Sequence, residues 1–358
     1  MPSRMSEPDD SEPASEAARP RRRERYAGKN PRRFTEKYKE LDPQRYPEMI
    51  AHVRSRGATP AGQHVPILVD EVLEALAPRP GALGVDATLG WGGHAQRLLE
   101  RIAPHGRLLA LDADPIESAK TAERLAACGY HAPELEVRRT NFAGLGAALA
   151  ESGWSDGVDF VFADLGLSSM QIDDPRRGFT FKQEGPLDMR MNPRRGRSAA
   201  EWLEHASLPE LLRALRDNAD EPHAVRIARE LIARRGRLSM TTELASCVRE
   251  ALAGTLARDE VEASVRRVFQ AVRIEVNDEF GALDRLLSQL GPALRSGGRV
   301  ALLSFHSGED RRIKQAFQRG LAEGTYSFVT PEVVRPSAAE RRSNPRSAPA
   351  KLRWAVRR

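Results

Sequence analysis

Val85-Asp86-Ala87-Thr88-Leu89-Gly90-Trp91-Gly92-Gly93-His94 decides how this chain is read. An apolar run closes on Asp86, three glycines fall within four positions, and an amphipathic stretch starts at His94. A strand that passes through a glycine turn into a helix is the unit of a parallel sheet. Glycines let backbone N–H groups approach a ligand closely at a helix N-terminus. Gly90-x-Gly92-x-x-Ala95 also meets the dinucleotide-binding pattern in its G-x-G-x-x-A form. A bare connecting turn would use the same glycines.

Working outward, short apolar runs at 82–87, 107–112, 135–138, 159–163 and 298–304 read as buried strands. Helical stretches at 94–103, 115–128 and 142–151 separate the first four. This alternation predicts an α/β fold with a parallel sheet. It stops at Asp164. The text then turns helical and polar, with expected helices at 198–217, 223–235, 241–253, 261–270 and 276–290, and closing strands at 325–334 and 352–356. The expected division is an N-terminal extension (1–60), a first core part (61–172), a helical insertion (173–275) and a second core part (276–358).

Composition narrows the class. With 358 residues there is ample chain for a core, and two cysteines cannot build a disulfide framework. No Cys/His spacing suggests zinc, so no metal is expected. No apolar run approaches the roughly 18 residues of a membrane span. The acidic, Ser/Pro-rich start does not read as a signal peptide, and a reduced cytoplasmic setting fits. The net charge of +6 is unevenly spread: residues 19–39 carry +8, residues 335–358 carry +7, and the rest carries −9. Basic ends fit nucleic-acid binding and fit solubilising tails equally.

Two acids sharpen the chemistry. Asp112 ends the second strand 22 residues after Gly90, where a carboxylate can accept hydrogen bonds from both hydroxyls of a ribose. That selects a nucleoside-containing cofactor, either a nicotinamide dinucleotide or S-adenosylmethionine. Asp164 ends the fourth strand, in Phe162-Ala163-Asp164-Leu165-Gly166-Leu167-Ser168-Ser169-Met170-Gln171, and so faces the ligand crevice of a parallel sheet. A carboxylate there, followed by a tight turn, can orient an exocyclic amine for methyl transfer. A dehydrogenase would want a His, Tyr/Lys or Arg near its nicotinamide, and no clear constellation of that kind stands out. The following loop mixes Arg176 and Arg177 with Phe179 and Phe181, which suits stacking on single-stranded RNA or simple anchoring of the loop.

These segments together carry a specific resemblance. His64-Val65-Pro66-Ile67-Leu68, Gly90–His94, Asp164-Leu165-Gly166-x-Ser168-Ser169-x-Gln171, Arg177-Gly178-Phe179, Gly185–Met191, Phe269-Gln270-Ala271-x-Arg273-Ile274-x-Val276-Asn277 and Ser304-Phe305-His306-Ser307-x-Glu309-Asp310 recur in order. The chain resembles the family of ribosomal RNA small subunit methyltransferase H, also called MraW, over about residues 63–320. The resemblance implies a class I methyltransferase fold, a Rossmann-like sheet with an inserted all-helical domain for substrate recognition. It implies transfer of a methyl group from S-adenosylmethionine to N4 of a cytidine in the decoding region of 16S rRNA within the small ribosomal subunit. Gly92, Gly93, His94, Asp112, Phe142, Asp164 and Gln171 would bind the cofactor. Asp164 would orient the amine, and His306 would approach the base or orient a loop. The protein is expected as a monomer or homodimer with no membrane. Trp91, Met170, Gly308 and the segment Ala219-Asp220-Glu221-Pro222-His223 depart from the family pattern. A nicotinamide-dependent dehydrogenase and a catalytically silent RNA-binding assembly factor are the competing readings. Titration with S-adenosylhomocysteine and with NAD separates the first, and subunit binding without methyl transfer marks the second.

Overall fold

The computed structural model describes residues 66–358; the extension at 1–60, with its basic segment, and His64 and Val65 lie outside the described residues. A seven-stranded sheet runs in the order β3-β2-β1-β4-β5-β7-β6. Its strands are β1 (Leu83–Asp86), β2 (Arg107–Leu111), β3 (Leu135–Arg138), β4 (Val158–Asp164), β5 (Leu294–Ser304), β6 (Tyr326–Val329) and β7 (Lys351–Arg357). The first five pair in parallel, and β7 runs antiparallel to both β5 and β6. The order reverses between β1 and β4, and in such sheets the ligand crevice opens at the carboxyl ends of the strands on either side of that switch. This is the class I methyltransferase arrangement.

Residue alternation explains why both faces of the sheet are covered. Val85, Leu109, Leu111, Val161, Ala163, Val300 and Leu302 point to one side, where α4 (Leu145–Glu151), α11 (Glu279–Ala293) and α12 (Ser307–Ala322) pack. Leu108, Ala110, Phe160, Phe162, Ala301 and Leu303 point to the other, against α1 (Val69–Leu76) and α2 (Gly93–Ile102). A strand buried on both faces has no polar side to spare, so these strands read as continuous apolar runs. The helix α3 (Glu117–Ala127) follows β2.

Between β4 and α11 the chain builds a separate apolar core from α6 (Ala199–His205), α7 (Leu208–Ala219), α8 (Ala224–Ala233), α9 (Thr241–Leu252) and α10 (Arg258–Asn277). Here the structure corrects several sequence-based bounds. The expected helix at 198–217 is two helices, because Ser207 and Glu210 form a second capping box after the one at Ser198 and Glu201. The expected helix at 261–270 is a 20-residue α10. It stops where Asp278 takes φ +48°, so the expected boundary at 275 falls inside a continuous helix. The closing strand expected at 325–334 covers only Tyr326–Val329. Short helices α5 (Ser169–Asp173) and α13 (Ala338–Ser343) sit in the connections that border the ligand crevice. No helix among the described residues is long and apolar enough to cross a membrane.

Candidate active site

The ends of β1, β2 and β4 open into a cavity of about 650 Å³, within the range of small-molecule sites. Gly90, Gly92, Gly93, His94, Asp112, Phe142, Asp164, Gln171 and His306 all line it. The structure thus brings together every site residue expected from the sequence.

The glycine turn is held from outside. Gly92 has φ +72°, and a Cβ there would stand 2.7 Å from Thr121 Cγ2 on α3. Thr121 Oγ1 donates to Gly90 O at 2.6 Å, and Arg124 donates to Trp91 O while stacking 4.9 Å from the Trp91 ring. The clamping role of α3 was not visible in the motif. It also accounts for Trp91, whose ring faces Arg124 and whose carbonyl, not its side chain, fixes the turn.

Asp112 accepts from Gly90 N and from Asp114 N, each at 2.7 Å. A carboxylate offers about four acceptor positions, so about two remain for a ribose diol. Burial pushes its carboxyl up to about 6 against the two amides that hold it down. Asp114 begins the turn into α3 and accepts from Ile116 N at 2.9 Å. Its second oxygen accepts from Gln171 Nε2 and Arg177 Nη1, both at 2.8 Å. Gln171 therefore reaches the cavity wall by way of Asp114. Phe142 opens a 3-10 turn capped by Asn141, next to the same wall.

Asp164 is the electrostatic centre of the site. Its backbone N–H donates to Thr88 Oγ1 at 2.6 Å, which ties β4 to the glycine turn. Its Oδ2 lies 3.8 Å from His94 Nδ1, and 27% of its side chain stays accessible, on the cavity side. Burial pushes its carboxyl up to about 8, with the charges of Asp86 and Glu309 adding to the rise. Asp86 is itself buried and pushed up to about 7, mainly by burial, and its Oδ2 has no hydrogen-bond partner among the described residues. Two neighbouring carboxyls that both resist ionisation were not legible in the sequence. His94 is buried in the first turn of α2, with Nε2 3.0 Å from Ile67 O and its ring 4.5 Å from Phe162. The carbonyl accepts from Nε2–H, which leaves Nδ1 facing Asp164.

His306 caps α12: its Nδ1 accepts from Glu309 N at 3.4 Å and its Nε2 lies 3.2 Å from Glu309 Oε1. Its ring packs 5.7 Å from Phe280. Gly308 follows from that packing, because a Cβ there would come within 2.5 Å of the Phe280 ring. Atoms of Glu279, His306 and Glu309 lie within 4.8 Å of one another, but Arg273 already grips Glu279 with two bonds of 2.8 and 2.9 Å. Phe179 and Phe181 both line the cavity and pack on the helical core, Phe181 meeting Phe269 at 4.9 Å. The departing segment at 219–223 acts as a pin: Asp220 accepts from Ser307 Oγ at 3.3 Å and pairs with Arg311 at 3.4 Å, joining the helical body to α12.

Residues 61–358 match the family model described as the MraW methylase family. This chain belongs to the MraW methylase family. It is 48% identical over 342 residues to ribosomal RNA small subunit methyltransferase H 2 of Alkaliphilus metalliredigens (strain QYMF), covering 94% of this chain and 97% of that relative. It is 45% identical over 349 residues to ribosomal RNA small subunit methyltransferase H 1 of Agathobacter rectalis, covering 96% and 99%. Both alignments are too long to stop at residue 61, so the N-terminal extension is shared in part with these relatives. A solved structure of a putative rRNA-methylase from Clostridium thermocellum matches at 11% identity and TM-score 0.39, over 82% of this chain and 100% of that one.

The state of Asp164 makes a testable difference to this methylase. A carboxyl raised from 3.8 to about 8 holds more protons folded than unfolded between those values. Stability from this group is therefore full below pH 3.8 and is lost as pH rises through about 8. Asp164→Asn keeps the shape without the charge. Its melting temperature should gain on that of the wild type as pH is raised from 5 to 9 in thermal melts. A constant difference across that range would show that Asp164 ionises freely.

Proposed function

We propose that this protein transfers a methyl group from S-adenosylmethionine to N4 of a cytidine in the decoding region of 16S rRNA, within the small ribosomal subunit. The observation that carries this reading is Asp164, a carboxyl pushed up to about 8 at the end of β4, facing the cavity beside the glycine turn. The rRNA substrate class is the one named for the relatives.

The residues fit the cofactor. The open turn at Gly92-Gly93 would hold the methionine end, the remaining acceptor positions of Asp112 would take the ribose, and Phe142 would flank the adenine. The cofactor supplies a methyl group already activated on a sulfonium, so a strong base is not required. At neutral pH Asp164 carries a proton. Its carbonyl oxygen then accepts from the exocyclic amine and its hydroxyl donates to the adjacent ring nitrogen. That pattern matches the donor and acceptor on the Watson–Crick edge of cytosine. The fit holds the amine lone pair in line, and positioning supplies most of the rate. The amine proton lost on transfer moves to the Asp164 carbonyl oxygen as the Asp164 hydroxyl passes its proton to the ring nitrogen, from which it leaves to water, so Asp164 ends neutral as it began. His306 orients the loop after β5 through Glu309 rather than by touching the base. The helical insertion and the basic ends grip the rRNA, and such a substrate puts the protein in the cytoplasm with the ribosome.

Mass spectrometry of rRNA nucleosides with and without the enzyme tests the reading. N4-methylated cytidine should appear only with enzyme and cofactor, and methyl on another nucleoside would displace it. Deleting residues 1–40 removes the whole +8 segment, so binding to the small subunit should weaken and its dependence on salt should flatten. An unchanged salt slope would return those arginines to the role of a solubilising tail.

A further inference from the structure

One wall of the cavity is a single face of α10. Arg266, Phe269, Gln270, Arg273 and Asn277 line it, at the spacing that places side chains above one another on a helix. Four of the five are already committed to the fold. Phe269 packs on Phe181, and Gln270 Nε2 donates to Asn218 O at 2.9 Å. Arg273 is held by Glu279, and Asn277 bonds to Met189 O and Met191 N, each at 2.7 Å. Arg266 is different. It is exposed at the rim and takes part in no ion pair or hydrogen bond among the described residues. The acid one turn earlier, Glu262, has both oxygens on Arg249, at 2.6 and 3.0 Å. The other two arginines lining the cavity are taken, Arg273 by Glu279 and Arg346 by Asp173 at 2.7 Å.

We propose that Arg266 is the phosphate clamp of the target nucleotide. The inference rests on the RNA reading above and adds the residue that grips the substrate beside the site. A base that reaches Asp164 from outside must leave its phosphates at the cavity mouth, and Arg266 offers there a guanidinium engaged by no hydrogen bond or ion pair among the described residues, its charge acting on Glu262 only at a distance. Its planar fork matches a phosphate bidentately, which the point charge of a lysine does not. The rest of the α10 face, being satisfied internally, serves as a rigid wall that sets how far the nucleotide enters.

The test is steady-state methylation of small ribosomal subunits by the full chain across a salt series, with calorimetry against S-adenosylhomocysteine as the folding control. For Arg266→Ala, KM for the subunit should rise about tenfold, with kcat within about twofold and the salt slope shallower by about one. Affinity for S-adenosylhomocysteine should not change. Arg266→Lys should keep the slope and lose only part of the affinity. Arg258→Ala, on the same helix and outside the cavity lining, is the comparison for loss of diffuse charge. An unchanged KM and slope in Arg266→Ala, or an equal loss in Arg258→Ala, overturns the clamp and leaves the function standing. A wild-type enzyme that methylates no rRNA overturns both.

Discussion

Asp164→Ala is expected to lower kcat for methyl transfer by at least about 10²–10³-fold, the size of effect seen when one preorganised polar group is removed from a reacting centre. The argument is geometric. Asp164 closes β4, its backbone is pinned by Thr88, and its carboxyl stands among Asp86, His94 and Glu309 on the cavity wall. The fold should not suffer, because the variant removes a carboxyl that burial already disfavours in its charged form. Affinity for S-adenosylhomocysteine should move far less than kcat. Single-turnover methylation with the variant measures the loss directly, and near wild-type turnover would remove Asp164 from the reaction. Asp164→Asn, which keeps an acceptor and a donor in place, should retain more activity than Asp164→Ala.

Arg177→Ala is expected to cost about 3–5 kcal/mol of stability, the range for breaking a buried ion pair by removing one partner. Asp114 is 1% exposed and Arg177 12%. Arg177 also donates to the carbonyls of Arg190 at 3.2 Å and Met191 at 2.8 Å, so one guanidinium joins the end of β2 to the start of the helical insertion. Removing it strands a buried carboxylate and unties that loop from the cavity wall. Denaturant unfolding should show the loss, and Arg177→Lys should recover only part of it, because one ammonium cannot span all three acceptors. Although burial alone would raise the Asp114 carboxyl, Gln171 and Arg177 hold it below 3.8. The stabilisation is therefore present above pH 3.8 and is lost as pH falls below it. A cost under about 1 kcal/mol would mean that the pair behaves like an exposed one.

Much of the fold was legible because its signals are local. Each strand of the core carries a run of apolar residues closed by a polar or glycine position, and the first capping box of the insertion stands in Ser198 and Glu201. The second was equally present in Ser207 and Glu210, yet the continuous amphipathic pattern on either side concealed the break at Ala206. The length of α10 was underestimated for the opposite reason. Its charged first turn, Arg258 to Glu260, carries no apolar residue to extend the pattern, and its true stop is a backbone turn at Asp278.

By itself, the sequence determined the strand and helix alternation, the glycine turn, and the two acids at the ends of β2 and β4. These depend on hydrophobic period and turn chemistry within a few neighbouring residues. Only the tertiary structure decided what those acids do. The rise of Asp164 comes first from burial, and Asp86 and Glu309 add to it from 78 and 145 residues away. The lock on Asp114 needs Arg177 from the far side of β4. The availability of Arg266 emerges only when Glu262, one turn away, is seen to be held by Arg249 and the other two arginines lining the cavity are seen to be paired. Burial and charge act through space, and the chain order does not encode which distant groups will share a desolvated volume.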